Sequence, residues 1–251
     1  MRKISRGEIA LGIACPMANE GPDGARFVEE VLRHCGGFRR VEFFAILDKA
    51  TDDNSLELLR DLATREPRLR VIWAPENRHV VDAYFRGYRE ALAAGHDWVL
   101  EIDAGFSHQP ADLAAFFAAM ECGYDCVFGS RFMKGSRVTE STLKRTIVSR
   151  GGTFLTNLLT GTKQTDMTSG FELFSRAALE MVVAKGVQSQ AHFFQTEIKF
   201  HCRNLRIVEV PIHYRSPSPR LGSSAVKDAF RQLWRLRQES RRGLNQKERA
   251  K

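Results

Sequence analysis

Two sets of residues in this sequence have the types and spacing for chemistry. The first is a series of polar residues where short apolar runs stop: Asn19 and Glu20 after residues 8–15, Asp48 after 41–47, Glu76 and Asn77 after 70–74, and Asp103 after 98–102. Taken singly, and Asp48 above all, such a residue is explained as the cap of a turn or helix. Together, on one edge of one sheet, they would line a single ligand crevice. The second set is Arg131, Arg145, Ser149 and Arg150. If residues 143–159 are helical, Arg145 and Ser149 lie one turn apart on one face, and a guanidinium fork beside a hydroxyl suits a phosphate. Arg150 reads equally as a solvent-facing side chain.

The elements that must position these groups are legible from periodicity. Apolar runs at 8–15, 41–47, 70–74 and 98–102 read as strands. Between them, residues 24–35, 55–64 and 80–94 have helical spacing, with Phe27, Val28, Val31 and Leu32 on one face of the first. Strict alternation of strand and helix implies a three-layer α/β sandwich with a mostly parallel central sheet and right-handed crossovers. The second half is less regular: a strand at 125–129, a helix at 143–159, and a strand of a mixed or flanking sheet at 206–214. Residues 216–224, rich in Pro, Ser and Gly, read as a loop. Beyond it, Val226, Phe230, Leu233 and Trp234 form an amphipathic stripe beside Lys227, Arg231 and Arg235. Such a helix either lies in a bilayer interface or docks on the sheet. The division expected is a folded domain over 1–224 and a basic amphipathic tail over 225–251.

Composition removes other classes. With 251 residues, 43% of them hydrophobic and 27% charged, the chain fits neither disordered nor collagen-like usage. Five cysteines, an odd number at irregular spacing, fit reduced thiols, and Cys122 and Cys126 find no second pair to complete a zinc site. No apolar run approaches the ~20 residues of a spanning helix, and the first residues carry no secretory pattern; the expectation is a cytoplasmic protein. The net charge of +8 is concentrated at the end of the chain, where residues 225–251 hold nine basic and three acidic side chains. That excess points to an anionic partner such as a membrane surface; nucleic acid is the last choice, because no base-reading motif accompanies it. Neither Gly-x-Gly-x-x-Gly after the first strand nor Gly-x-x-x-x-Gly-Lys-Ser/Thr is present, which removes the dinucleotide oxidoreductase and P-loop readings.

Six blocks stand in a telling order: Pro16-Met-Ala-Asn-Glu20, Asp48-Lys-Ala-Thr-Asp-Asp-Asn-Ser55, Asp103-Ala-Gly-Phe-Ser-His-Gln-Pro110, Gly129-Ser-Arg131, residues 145–152, and Asp166-Met-Thr-Ser-Gly-Phe171. In their number and order they resemble family 2 glycosyltransferases, within them the dolichol- or polyprenyl-phosphate mannose synthase branch, over residues 9–224.

The resemblance implies a GT-A fold that binds a nucleoside diphosphate sugar, with Pro16, Asn19, Glu20 and Asp48 near the nucleoside. Asp103 matches the first residue of the family's Asp-x-Asp, which holds Mg²⁺ or Mn²⁺ against the diphosphate. Position 105 is Gly, so the second carboxylate is missing and Ser107 or Gln109 would have to assist. Arg131, Arg145 and Ser149 match residues that bind the acceptor phosphate, and Asp166 belongs to a loop beside the donor sugar, although its neighbours also make it a turn former. Gln195 and Glu197 resemble a helix facing the active site, and Glu209 an architectural strand. Arg220-Leu-Gly-Ser-Ser224 resembles a loop closing over the donor diphosphate, with Ala225 where the family has Lys. His108 reads as a structural, hydrogen-bonded histidine.

The activity implied is an inverting transfer of a hexose, mannose from GDP-mannose, to a polyprenyl phosphate at the cytoplasmic membrane face. A phosphate monoester is largely dianionic at pH 7 and needs no general base. The alternatives are the same fold with a UDP-sugar or another acceptor, and a non-catalytic nucleotide-sugar-binding protein, suggested by Gly105 and Ala225.

Overall fold

The computed structural model describes residues 4–140, 143–215 and 223–249. The first half alternates as its periodicity requires: β1 (Ala10–Pro16), α1 (Gly21–His34), β2 (Arg40–Leu47), α2 (Ser55–Arg65), β3 (Leu69–Trp73), α3 (Val80–Ala93) and β4 (Trp98–Glu101). The second half adds α4 (Leu113–Glu121), β5 (Cys126–Ser130), β6 (Arg137–Thr139), α5 (Leu143–Thr160), β7 (Glu172–Ser175), α6 (Arg176–Lys185), α7 (Phe194–Cys202), β8 (Ile207–Pro211), β9 (His213–Arg215) and α8 (Ser223–Arg249).

Seven strands form one sheet in the order β3-β2-β1-β4-β7-β5-β8, and β6 pairs with β9 beside it. All pairings in the large sheet are parallel except those of β7, which runs antiparallel between β4 and β5. β1 shows how the sequence builds two cores at once. Its side chains alternate across the sheet, so Leu11, Ile13 and Cys15 enter the core shared with α1, α2 and α4, while Ala14 enters the one shared with α3, α6 and α7. This is the expected three-layer sandwich. The apolar face of α1 is buried as its spacing predicts, with Phe27, Val28, Val31 and Leu32 at its centre.

Two expectations are corrected. The single strand at 206–214 is two strands: β8 continues the large sheet and β9 leaves it to pair with β6. β7 was not legible, because only four residues follow Phe171 before α6 begins. Of the loop expected over 216–224, residues 216–222 lie outside the described residues, and Ser223 and Ser224 begin α8.

The stripe on α8 divides. Leu233 and Leu236 are buried, whereas Phe230 and Trp234 stand in solvent; the Val226 and Lys227 side chains lie outside the described residues. Arg235 forms an ion pair with the buried Glu197 at 2.9 Å, and the Ser240 hydroxyl donates to the Thr160 carbonyl. The helix therefore docks on the protein by one face, and Phe230 and Trp234 stand on another that is uncovered. No described helix is long and apolar enough to cross a membrane, and all five cysteines are free thiols.

Candidate active site

The sheet order reverses at β1 and β4, and ligands bind beyond the carboxyl ends of strands at such a point. Glu20 follows β1, Asp48 follows β2, Asp103 follows β4 and Arg131 follows β5. The polar strand ends thus share the edge on which the sequence places them.

One side of the site begins with a locked pair of loops. The Asn19 side chain donates to the Ala50 carbonyl at 3.0 Å and accepts the Asp52 N–H at 2.8 Å, so both of its polar ends staple the β1–α1 loop to the β2–α2 loop. Asn19 sits in the left-handed region at φ 57°, a conformation Asn tolerates better than most residues. Asp48 accepts the Ala50 N–H at 2.9 Å, the turn cap that its type allows. The Ser55 hydroxyl accepts the N–H groups of Glu20 and Gly21, both at 2.8 Å. Glu20 is held by its backbone and its carboxylate is left over. Burial, then the charges of Asp53, Asp103 and Asp23, push that carboxyl above its ordinary value.

Asp103 is gripped from two sides. The Tyr84 hydroxyl donates to its Oδ1, and its own N–H donates to His108 Nδ1 at 3.3 Å. Burial lowers the His108 pKa against the opposing pull of Asp103, so the ring is neutral at pH 7 and carries its proton on Nε2. It stacks on Phe171 at 4.9 Å between ring centroids. The structural reading of His108 stands.

The other side of the site is built around Arg131 and Asp166. The carboxylate accepts from Arg131 Nε at 2.7 Å, Nη2 at 2.9 Å and the Arg131 backbone N–H at 3.1 Å. Burial alone would raise the Asp166 pKa, but the charge and hydrogen bonds of Arg131, with Lys199 beyond, hold it down at about 2. One edge of the Arg131 guanidinium is therefore spent, and Nη1 makes no hydrogen bond among the described residues. Asp166 is fully buried, so it orients Arg131 and is not exposed for a sugar hydroxyl. Arg131 lies over the Phe132 ring at 5.1 Å, and Arg150 lies over the same ring at 5.0 Å. That shared ring gathers two guanidinium groups; Arg150 is exposed, as its solvent-facing reading has it, and still shares the Phe132 ring with Arg131. Ser149 is half-buried on the same helix; the Arg145 side chain and the whole of Arg220 lie outside the described residues.

Behind both sides lies a polar cluster that sequence reasoning missed. Glu101 on β4 and Glu172 on β7 are cross-strand partners, both fully buried. Tyr88 and Gln195 donate to Glu101. Lys199 donates to the carbonyls of Asp166 and Ser169 at 2.7 and 2.9 Å and stands 3.3 Å from Glu172. Burial, reinforced by Glu172, drives the Glu101 pKa well up. Glu209 accepts the N–H groups of Thr165 and Asp166 at 2.7 and 3.0 Å, and Gly170 passes so close that a Cβ there would lie 2.7 Å from Gln195 Nε2. The cluster fastens the Asp166 loop to β4 and so sets the distance between Asp103 and Arg131. Gln195 belongs to it, whereas Glu197 turns away toward α8. In the sequence the cluster leaves only the four-residue spacing of Gln195 and Lys199, which puts them on one face of α7.

Glu172 gives this cluster a pH signature. Burial pushes its pKa from 4.5 up to about 7, against the pull of Lys199. A folded-state value above the unfolded one stabilises fully below pH 4.5 and the contribution is lost as pH rises through 7. Chemical denaturation across that window is expected to show stability falling with a slope of up to ~1.4 kcal/mol per pH unit from this group. Glu172→Gln should flatten it; an unchanged slope would assign the titration elsewhere.

A mostly parallel sheet that reverses at β1 and β4, acidic groups beyond those strands, and Arg131 beyond β5 with Arg150 of α5 on the same ring define the class: a GT-A fold of the nucleotide-sugar transferase kind. Residues 13–182 match the model for Glycosyl transferase family 2, and the chain belongs to that family; it is a glycosyltransferase. It is 29% identical over 171 residues to undecaprenyl-phosphate mannosyltransferase of Micrococcus luteus, a match covering 67% of this chain and 70% of that protein. It is 28% identical over 172 residues to polyprenol monophosphomannose synthase of Mycolicibacterium smegmatis, covering 67% of this chain and 65% of that one. Glucosyl-3-phosphoglycerate synthase of Mycobacterium tuberculosis, crystallised with UDP, superposes with a TM-score of 0.65 at 14% identity, covering 92% of this chain and 80% of that one. The same enzyme with Mn²⁺, UDP and phosphoglyceric acid gives 0.67 at 13% identity, over 92% and 78%.

Proposed function

We propose that this protein is an inverting transferase that moves mannose from GDP-mannose to a polyprenyl phosphate at the cytoplasmic face of a membrane. One observation carries the acceptor: the guanidinium pair borders an uncovered apolar helix face. On α5, Ile147, Phe154 and Leu158 recur at helical spacing on one side, with Phe154 and Leu158 each 68% exposed. Arg150 stands on the same helix. A phosphate on an apolar tail needs this combination of cations and greasy surface. The names of the two relatives support the same acceptor.

The residues divide the work. Arg131, pre-set by Asp166, and Arg150 would bind the acceptor phosphate, which attacks the anomeric carbon without a general base because it is already dianionic. Aligning it there and offsetting its repulsion from the donor diphosphate is the protein's main contribution. Among the described residues no group of three acidic, His or Cys side chains converges as a metal cage. Carboxylates suit a divalent cation that takes its remaining ligands from diphosphate and water, so Asp103 fits Mg²⁺ or Mn²⁺, which would supply charge neutralisation to the leaving diphosphate.

The test is mass spectrometry of lipid products from the purified protein with a panel of GDP- and UDP-sugars, a polyprenyl phosphate, and Mn²⁺, Mg²⁺ or chelator. Mannosyl phospholipid from GDP-mannose is expected. Product only from a UDP-sugar would correct the donor, and nucleotide binding with no product would favour a protein without transfer activity.

Membrane docking rests on a further exposed pair, Phe230 and the 57% exposed Trp234, with Arg237 over the indole ring. Replacing Phe230 and Trp234 with Ser is expected to weaken cosedimentation with anionic liposomes several-fold while nucleotide affinity holds. Undiminished sedimentation would remove α8 from the docking surface.

A further inference from the structure

Position 105 is the weak point of the cation site, because glycine there supplies no ligand. The backbone at Gly105 lies in the left-handed region, and a Cβ built on it would fall 2.9 Å from Glu20 Oε2 and 3.7 Å from Glu20 Cδ. The space that a side chain at 105 would enter is thus already filled by a carboxylate delivered from the β1–α1 loop. The exchange is reciprocal: Glu20 can lie there only because residue 105 has no side chain.

The Glu20 carboxylate has no task within the protein. It makes no hydrogen bond or ion pair among the described residues, although its backbone N–H is fixed on Ser55. Three carboxylates, those of Asp53, Asp103 and Asp23, act on it. A half-buried, unpaired carboxylate among like charges is costly unless a cation offsets it.

We infer that Glu20 is the second carboxylate of the divalent-cation site, supplied through space from β1–α1 in place of the one that position 105 lacks. The inference rests on the reading of Asp103 as a cation ligand. It assigns Glu20 to the diphosphate end of the donor, away from the nucleoside contact that the family resemblance implies. Asp103 and Glu20 together restore the two negative charges of an Asp-x-Asp pair, using hard oxygen donors of the type Mg²⁺ and Mn²⁺ take.

The experiment measures binding, with no acceptor present: free Mn²⁺ by electron paramagnetic resonance during titration of the protein with GDP, and GDP affinity with Mn²⁺ and with chelator. The isosteric variants Glu20→Gln and Asp103→Asn are compared with the parent chain. Each is expected to weaken Mn²⁺ binding at least about tenfold, and Glu20→Gln to lower GDP affinity with Mn²⁺ while leaving it unchanged in chelator. An equal loss of GDP affinity with and without metal would make Glu20 a nucleoside contact and overturn the inference. Weakening in Asp103→Asn but not in Glu20→Gln would overturn it and leave the Asp103 reading standing. Unchanged Mn²⁺ binding in both would overturn the two together.

Discussion

Asp166→Asn is expected to cost about 3–5 kcal/mol of folding stability, the range for breaking a buried ion pair from one side. The carboxylate is fully buried and accepts three bonds from Arg131 as well as the Thr168 N–H. Its removal strands the guanidinium and leaves Lys199 with one counter-charge fewer. Urea denaturation at pH 7 measures the loss. The parent chain should lose part of this as acid is added: the folded pKa of about 2 lies below the ordinary 3.8, a shift worth ~2.5 kcal/mol, so this contribution is complete above 3.8 and is lost as pH falls through 2.

Stability alone would not separate an architectural pair from one that serves the substrate. The double variant Arg131→Met, Asp166→Leu does, since replacing both partners with apolar groups is often neutral or stabilising. Stability is expected to return toward the parent value while transfer stays lost, because the double variant lacks the guanidinium proposed to bind the acceptor phosphate. Recovery of transfer in the double variant would show that Arg131 never touches substrate.

The two halves of this site differ in how far the sequence reveals them. Strand ends are visible in a sequence because an apolar run must stop where the chain leaves the core, so Glu20, Asp48 and Asp103 could be placed on one edge before any coordinates. The Asp166 loop and β7 were not visible, because their order comes from partners far along the chain: Glu209 holds Thr165 and Asp166 from 43 and more residues away, and Lys199 reaches across from α7. A glutamate in a central strand contradicts strand burial rules unless a cation or proton donor is already there, and Tyr88, Gln195 and Lys199 are such partners for Glu101 and Glu172. Arg150 was ambiguous for a related reason. A helical arginine is placed by what it lies on, and Phe132 belongs to another segment.

Gly105 shows the reverse. Its departure from the family pattern is plain in the sequence, yet sequence order hides the remedy, since Glu20 is 85 positions earlier. What matters to a cation is the charge within reach, and a backbone that brings the β1–α1 loop over the β4 loop meets that need without conserving position.

Asp103→Asn is expected to lower turnover by on the order of 10²–10³, or ~3–4 kcal/mol of transition-state stabilisation, by analogy with removing one preorganised electrostatic group. The substitution keeps an oxygen for the Tyr84 hydroxyl and leaves the backbone N–H on His108, so the melting temperature should change little. The loss should fall on turnover, because the charge that Asp103 fixes opposes the diphosphate's repulsion most as it departs. Tyr84→Phe supplies the contrast. It removes the hydroxyl that orients Asp103 without touching substrate, so a smaller loss is expected, and one that added Mn²⁺ partly repairs. If Asp103→Asn retained parental turnover on the polyprenyl phosphate, no carboxylate at the end of β4 would be needed, and leaving-group stabilisation would have to come from the cationic side chains alone.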